Sequence, residues 1–133
     1  MIKKEIFREY DVRGIVGKDL NPETAELFGK GYGTYVRRNG KRKISVGRDV
    51  RVSSDELFNA LVSGIVSTGI DIIDIGICPT PLLYFSLFNL DVDGGIMITG
   101  SHNPPEFNGF KICLGRDTIY GEEIQRLMIL IES

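Results

Sequence analysis

The amino-acid sequence predicts an α/β fold, a three-layer α/β/α sandwich with a mixed, largely parallel sheet. Two observations carry that prediction. Short apolar runs of strand length alternate with longer stretches whose apolar residues recur at helical spacing, and such alternation puts crossover helices on both faces of a parallel sheet. In one place the chain instead turns straight back. The apolar runs 95–99 and 110–114 are separated by a compact loop bearing two prolines and no helix. Strands joined that way pair antiparallel, so the sheet should be mixed.

The elements follow in order. Asn21-Pro22 reads as an N-cap with proline in the first helical position. Leu27, Phe28, Gly31, Tyr32, Tyr35 and Val36 then recur at helical spacing, and Asn39-Gly40 stops the helix. Ile44-Ser45-Val46 is a strand that leads into Gly47-Arg48-Asp49. The second helix opens on a capping box, Ser53 with Glu56, and shows an apolar face of Leu57, Phe58, Leu61, Val62, Ile65 and Val66 before Gly69 ends it. The run 70–75 is a strand ending at Gly76, and a third helix starts at Thr80-Pro81. The runs 95–99 and 110–114 are the last strands. A final helix from about Gly121 shows Ile124, Leu127, Met128 and Ile131 on one face.

The chemistry concentrates in the loop between the last two strands. Thr99-Gly100-Ser101-His102-Asn103-Pro104-Pro105-Glu106-Phe107-Asn108-Gly109-Phe110-Lys111 holds a serine, the one histidine of the chain, an asparagine and a lysine. Ser101 follows a strand, so it belongs at the edge where open α/β sheets bind ligands. Asn103-Pro104-Pro105 cannot continue a strand, and Asn108-Gly109 suits the positive φ of a tight turn. The serine does not read as a hydrolase nucleophile, which sits in Gly-x-Ser-x-Gly ahead of a helix. Adjacent side chains of extended backbone diverge, so His102 makes a poor triad partner for it. Lys111 suits other chemistry, because an ammonium neutralises a phosphoryl group or shuttles a proton to it.

The string TGSHNPPEFNGFK resembles the active-site loop of the α-D-phosphohexomutases, T-[AG]-S-H-N-P-x-x-x-N-G-x-K. Two further segments are similar to that family's first domain: Phe7-Arg8-Glu9-Tyr10-Asp11-Val12-Arg13-Gly14, and Val46-Gly47-Arg48-Asp49-Val50-Arg51-Val52-Ser53-Ser54. The opening and Phe110 resemble most the phosphomannomutase/phosphoglucomutase branch. The resemblance implies a Mg²⁺-dependent intramolecular phosphotransferase that interconverts hexose 1-phosphates and 6-phosphates through a bisphosphorylated sugar. It implies that Ser101 is the phosphoserine and a metal ligand through its phosphate. Lys111 would neutralise charge or relay a proton, His102 and Asn103 would shape the site, and Tyr10 and Arg13 would line the substrate cleft. Asp49 is expected to order its own turn, with Arg48 and Arg51 adding positive potential nearby. A phosphoglucosamine mutase domain is the alternative within the family. A free-standing phosphate- or partner-binding module without turnover is the alternative outside it.

Composition sets the limits. At 133 residues, residues 1–133 are one domain with a core of its own. A net charge of −2 argues against a nucleic-acid partner. Charged residues directly after Met1 argue against a signal peptide, and no apolar run is long enough for a membrane span, so the expected location is cytoplasmic. Cys78 and Cys113 have no metal-site spacing and read as reduced, buried thiols. Gly29-Lys30-Gly31-Tyr32-Gly33 lacks the preceding strand of a dinucleotide fingerprint, so its glycines are expected to permit close helix–sheet packing. Asp91-Val92-Asp93-Gly94 fails as a calcium loop. The family's D-G-D-x-D-R metal loop occurs nowhere in the sequence. In the family that loop, the sugar-specificity loop and the distal phosphate site lie in later domains, so residues 1–133 alone are expected to be inactive. Consecutive apolar residues over 127–131 are expected to be covered by those domains, or to drive self-association without them.

Overall fold

The computed structural model describes residues 6–8, 12–100, 103–115, 117–119 and 121–132. Its elements run β1 (Val12–Ile15), α1 (Pro22–Arg38), β2 (Lys43–Arg48), α2 (Ser54–Val66), β3 (Asp71–Ile77), α3 (Thr80–Asn89), β4 (Gly94–Ile98), β5 (Phe107–Leu114), β6 (Asp117–Thr118) and α4 (Glu122–Glu132). Helix α1 starts where the sequence places it. The Asn21 side chain accepts from the Thr24 N–H at 2.9 Å, and the Thr24 hydroxyl oxygen accepts from the Asn21 N–H at 2.8 Å. Pro22 then begins the helix with no N–H left wanting a partner.

Helix α2 starts differently from the expected capping box. Ser53 already has helical backbone, φ −76° and ψ −13°, and its side chain caps nothing. The turn from Asp49 sets the helix start: the Ser54 N–H donates to the Arg51 carbonyl, and the Ser54 hydroxyl donates to Asp49 at 2.6 Å. A residue whose backbone has already entered the helix cannot hold the extended geometry that an N-cap needs.

The strands lie in the order β1-β5-β4-β2-β3, with β6 also pairing β5. Strands β3 and β4 both run parallel to β2, while β5 is antiparallel to β4, to β1 and to β6. Of the described strands β5 alone is reversed, so the sheet is mixed and largely parallel as predicted. β1 and β6 were not legible in the sequence. A four-residue segment holding Arg13 and Gly14, and a two-residue one, carry too little pattern to read as strands.

The two faces of the sheet are covered unequally. Helices α1, α2 and α4 bury Phe28, Tyr32, Leu57, Leu61, Ile65, Ile124 and Leu127 against Ile44, Val46, Ile96, Ile98, Phe110 and Ile112. Phe28 stacks on Phe110 with ring centroids 4.8 Å apart. Alternation turns Ser45, Met97 and Cys113 to the other face, where α3 supplies Leu83 and Leu87 and the Ser86 hydroxyl lies 2.8 Å from that of Ser45. Both cysteines are buried and neither is in a disulfide; the Cys113 thiol lies 4.0 Å from the Thr118 hydroxyl.

The glycines of α1 permit helix–helix contact, not the expected helix–sheet packing. A Cβ on Gly29 would meet the Leu61 carbonyl of α2, one on Gly31 the Ile131 side chain of α4, and one on Gly33 the Thr68 hydroxyl. Gly64 answers from α2, where a Cβ would strike the backbone of Glu26. The apolar segment 127–131 is therefore covered largely by this chain itself. Leu127 is buried, Met128 and Ile131 pack on the core, and Ile129 stays exposed.

Candidate active site

The loop 99–106 leaves the C-terminal end of β4 and returns as β5. The antiparallel pairing puts the start of β5 beside that end, with Ile98 opposite Phe110. The Thr99 N–H donates to the Gly109 carbonyl at 2.9 Å, and the Val16 N–H just past β1 donates to the Glu106 carbonyl at 2.8 Å. The C-terminal ends of β1, β2 and β4 thus share one edge with the loop, the ligand-binding edge of an open α/β sheet.

Asn108 and Gly109 are not a turn. They lie within β5, and Gly109 pairs with Arg13. A Cβ on Gly109 would meet the Val12 carbonyl and would lie 2.8 Å from the Arg13 Cα, so glycine serves close strand approach here and not positive φ. The Asn108 side chain is buried and donates to the hydroxyls of Ser53 and Ser54 at 2.9 and 3.0 Å. That bond replaces the cap Ser53 was expected to form.

Asp49 and Arg51 hold the loop. Asp49 accepts from the Gly100 N–H at 3.3 Å, from the Arg51 N–H at 3.1 Å and from Arg51 Nε at 3.2 Å, besides the Ser54 hydroxyl. Burial alone would push the Asp49 carboxyl up. The bonds from Ser54, Arg51, Thr99 and Gly100 outweigh it and hold the carboxyl below its ordinary range. The guanidinium of Arg51 donates through Nη1 to the Pro104 carbonyl at 2.8 Å and the Phe107 carbonyl at 3.1 Å, and through Nη2 to the Asn103 carbonyl at 2.8 Å.

The sequence-predicted site residues divide into three groups. Ser101, His102 and Tyr10 lie outside the described residues. Arg13 and Lys111 come together on one face. Arg13 is opposite Gly109 and Lys111 is opposite Met97, so alternation turns both to the face that α3 covers. Helix α3 packs mainly across β2 and β4 and shares a buried cluster with Cys113 of β5, and among the described helices it alone covers that face. Asn103 is committed within the loop, its side-chain N–H and backbone N–H both donating to the Gly100 carbonyl, at 2.9 and 3.0 Å.

Arg48 and Arg51 do not add free positive potential. Arg48 pairs with Asp55 at 2.7 Å and Asp74 at 3.1 Å and lies over the Phe58 ring, and Arg51 pairs with Asp49. The segment Gly47-Arg48-Asp49-Val50-Arg51 was legible as a motif. Its role as a brace was not, because only the fold brings residue 51 beside residues 103–107. Among the described residues no cluster of His, Cys, Asp or Glu could hold a metal ion. Asp49, the carboxylate at the loop, is already filled by hydrogen-bond donors. These residues therefore do not make a Mg²⁺ site of the kind carboxylate oxygens provide.

Comparison with known proteins bears on this geometry. Residues 4–130 match the family described as phosphoglucomutase/phosphomannomutase, alpha/beta/alpha domain I. A phosphoglucomutase of Neisseria meningitidis serogroup B is 47% identical over 132 residues, covering 99% of this chain and 29% of the relative. A phosphomannomutase/phosphoglucomutase of Pseudomonas putida is 44% identical, covering 96% of this chain and 28% of the relative. The crystal structure of a phosphoglucomutase/phosphomannomutase family protein from Burkholderia thailandensis superposes with a TM-score of 0.95 at 42% identity, over 99% of this chain and 31% of that one. The chain thus spans about three-tenths of the length of the curated relatives it matches.

Proposed function

Because the chain belongs to the phosphoglucomutase/phosphomannomutase family through its α/β/α domain I, we propose that it is the phosphoserine-bearing N-terminal domain of a phosphohexomutase. The parent enzyme interconverts hexose 1-phosphate and hexose 6-phosphate. One observation carries this reading: the segment that holds Ser101 is braced at the C-terminal sheet edge, with Arg13 and Lys111 together on adjoining strands.

In the proposed reaction the P–Oγ bond of phosphorylated Ser101 breaks as a P–O bond forms to a hydroxyl oxygen of the hexose phosphate. The proton of that hydroxyl ends on Ser101 Oγ, and Lys111 neutralises or relays the charge between them. The bisphosphorylated sugar reorients, and its other phosphoryl group returns to Oγ by the reverse exchange. Arg13, Tyr10 and Asn103 line and shape the cleft, with His102 beside the serine. Such transfer depends mainly on positioning and charge neutralisation. Mg²⁺ in the parent would be held through the Ser101 phosphate together with carboxylates from outside this chain, and would supply further charge neutralisation. No helix among the described residues is long and apolar enough to cross a membrane. Hexose phosphates are charged metabolites of the cell interior, and a cytoplasmic location fits the reading.

The test is Ser101→Ala in the full-length enzyme that carries this domain, beside the isolated chain. The expected outcome is loss of nearly all mutase activity in the variant with unchanged melting, and none from residues 1–133 alone. Wild-type enzyme incubated with a hexose bisphosphate should show phosphate on the peptide holding Ser101 by mass spectrometry. A Ser101→Ala enzyme turning over at near wild-type rate overturns the assignment.

A further inference from the structure

We propose that Asp49 and Arg51 are positioning residues for phosphoryl transfer: together they fix the loop backbone on both sides of residue 101. The inference rests on the mutase reading above. On the upstream side Asp49 accepts from the Gly100 N–H, and on the downstream side Arg51 donates to the carbonyls of residues 103, 104 and 107. The Nε–Asp49 bond joins the two halves into one brace. Residue 101 lies between the anchored points.

Three features argue for position over other roles. The first is the geometry of the donor. A planar guanidinium can serve three carbonyls and a carboxylate at once, whereas an ammonium offers a point charge on a flexible stem. The second is charge. Arg51 faces Asp49 at 3.2 Å, so the pair places nearly no net charge beside the loop and is poorly suited to attract a substrate phosphate. The third is where the carbonyls lie. Pro104 is exposed and Asn103 and Phe107 are half-buried, so water can replace the guanidinium at little cost to the fold. Loss of the brace therefore releases the loop more than it destabilises the domain.

Misplacing a reacting group by about 1 Å can cost roughly a hundredfold in rate. In the full-length enzyme, Arg51→Lys and Asp49→Asn should therefore lower kcat about a hundredfold while KM stays within about threefold. Amide hydrogen exchange should quicken at residues 99–107 and stay unchanged in the rest of β4 and β5. Guanidinium ion added to Arg51→Ala should restore part of kcat, which a merely structural loss would not allow. A raised KM with retained kcat would make Arg51 a substrate-binding residue and overturn the proposal. Faster exchange with unchanged kcat would also overturn it, leaving a structural brace. The exchange arm needs no turnover. A failure of the mutase reading, seen as an inactive wild-type enzyme, is thus told apart from a failure of the brace.

Discussion

The two faces of this sheet are built to different standards. On one, three helices close over the strands; Gly29 and Gly64 let the backbones of α1 and α2 nearly touch, and Gly31 makes room for the Ile131 side chain of α4. On the other, α3 is the one described helix, with Leu82, Phe85 and Phe88 turned outward, 42%, 59% and 57% exposed. The candidate cations Arg13 and Lys111 belong to that more thinly covered face, on β1 and β5. The contrast separates two tasks. Tight packing on the first face holds the strands in register. The loop beside the second face is anchored by hydrogen bonds rather than by apolar packing.

The largest effect should come from the crowded face. In Gly64→Val the new side chain meets the Glu26 carbonyl and lies 3.0 Å from the Lys30 nitrogen, both backbone atoms that cannot swing aside. Overpacking of this kind should cost about 3 kcal/mol, read as a lower urea midpoint. An unchanged midpoint would mean that α1 and α2 separate without penalty, and the contrast between faces would fail.

A smaller effect should appear at high pH. The Tyr35 hydroxyl of α1 donates to Glu123 of α4 at 2.8 Å. Burial, with that bond and the Glu123 charge, pushes the phenol up to about 12. An unfolded tyrosine ionises near 10. The stabilisation is therefore complete below about pH 10 and is lost as pH rises toward 12. Tyr35→Phe should flatten that part of the urea-midpoint profile, and an identical profile would mean α4 is not tied to α1 through this pair.

The smallest effect belongs to the thin face. Phe85→Ser removes a ring that is already mostly in water, so stability should shift by no more than about 0.5 kcal/mol. A loss of several kcal/mol in the same urea titration would show that α3 is packed as firmly as the helices opposite, and would erase the distinction.

Much of this molecule was legible before its fold was known. Apolar periodicity marked all four helices and four of the strands, because burial of one face forces that spacing on the sequence. Asn21 with Pro22 marked the start of α1, because a helix end must satisfy its own N–H groups locally. The segment Ser101 to Lys111 stood out because turn residues and reactive side chains are rarely packed so densely. Where local chemistry had a competing partner far along the chain, sequence reading failed. Ser53 looked like a cap and instead receives the Asn108 amide 55 residues away. Asn108-Gly109 looked like a turn and became the middle of a strand, because β1 needed a partner without a Cβ.

The sequence by itself determined the α/β class, the order of the main elements and the loop that carries the candidate chemistry, since propensity, patterning and turn geometry act over a few residues. Tertiary structure alone decided what Asp49 and Arg51 do, which helices the glycines of α1 touch, and that Arg13 and Lys111 share one face of the sheet. Each of those outcomes depends on strand register and on contacts across tens of residues. The interactions that settle them are hydrogen bonds and close backbone approaches that exist only once the sheet has assembled.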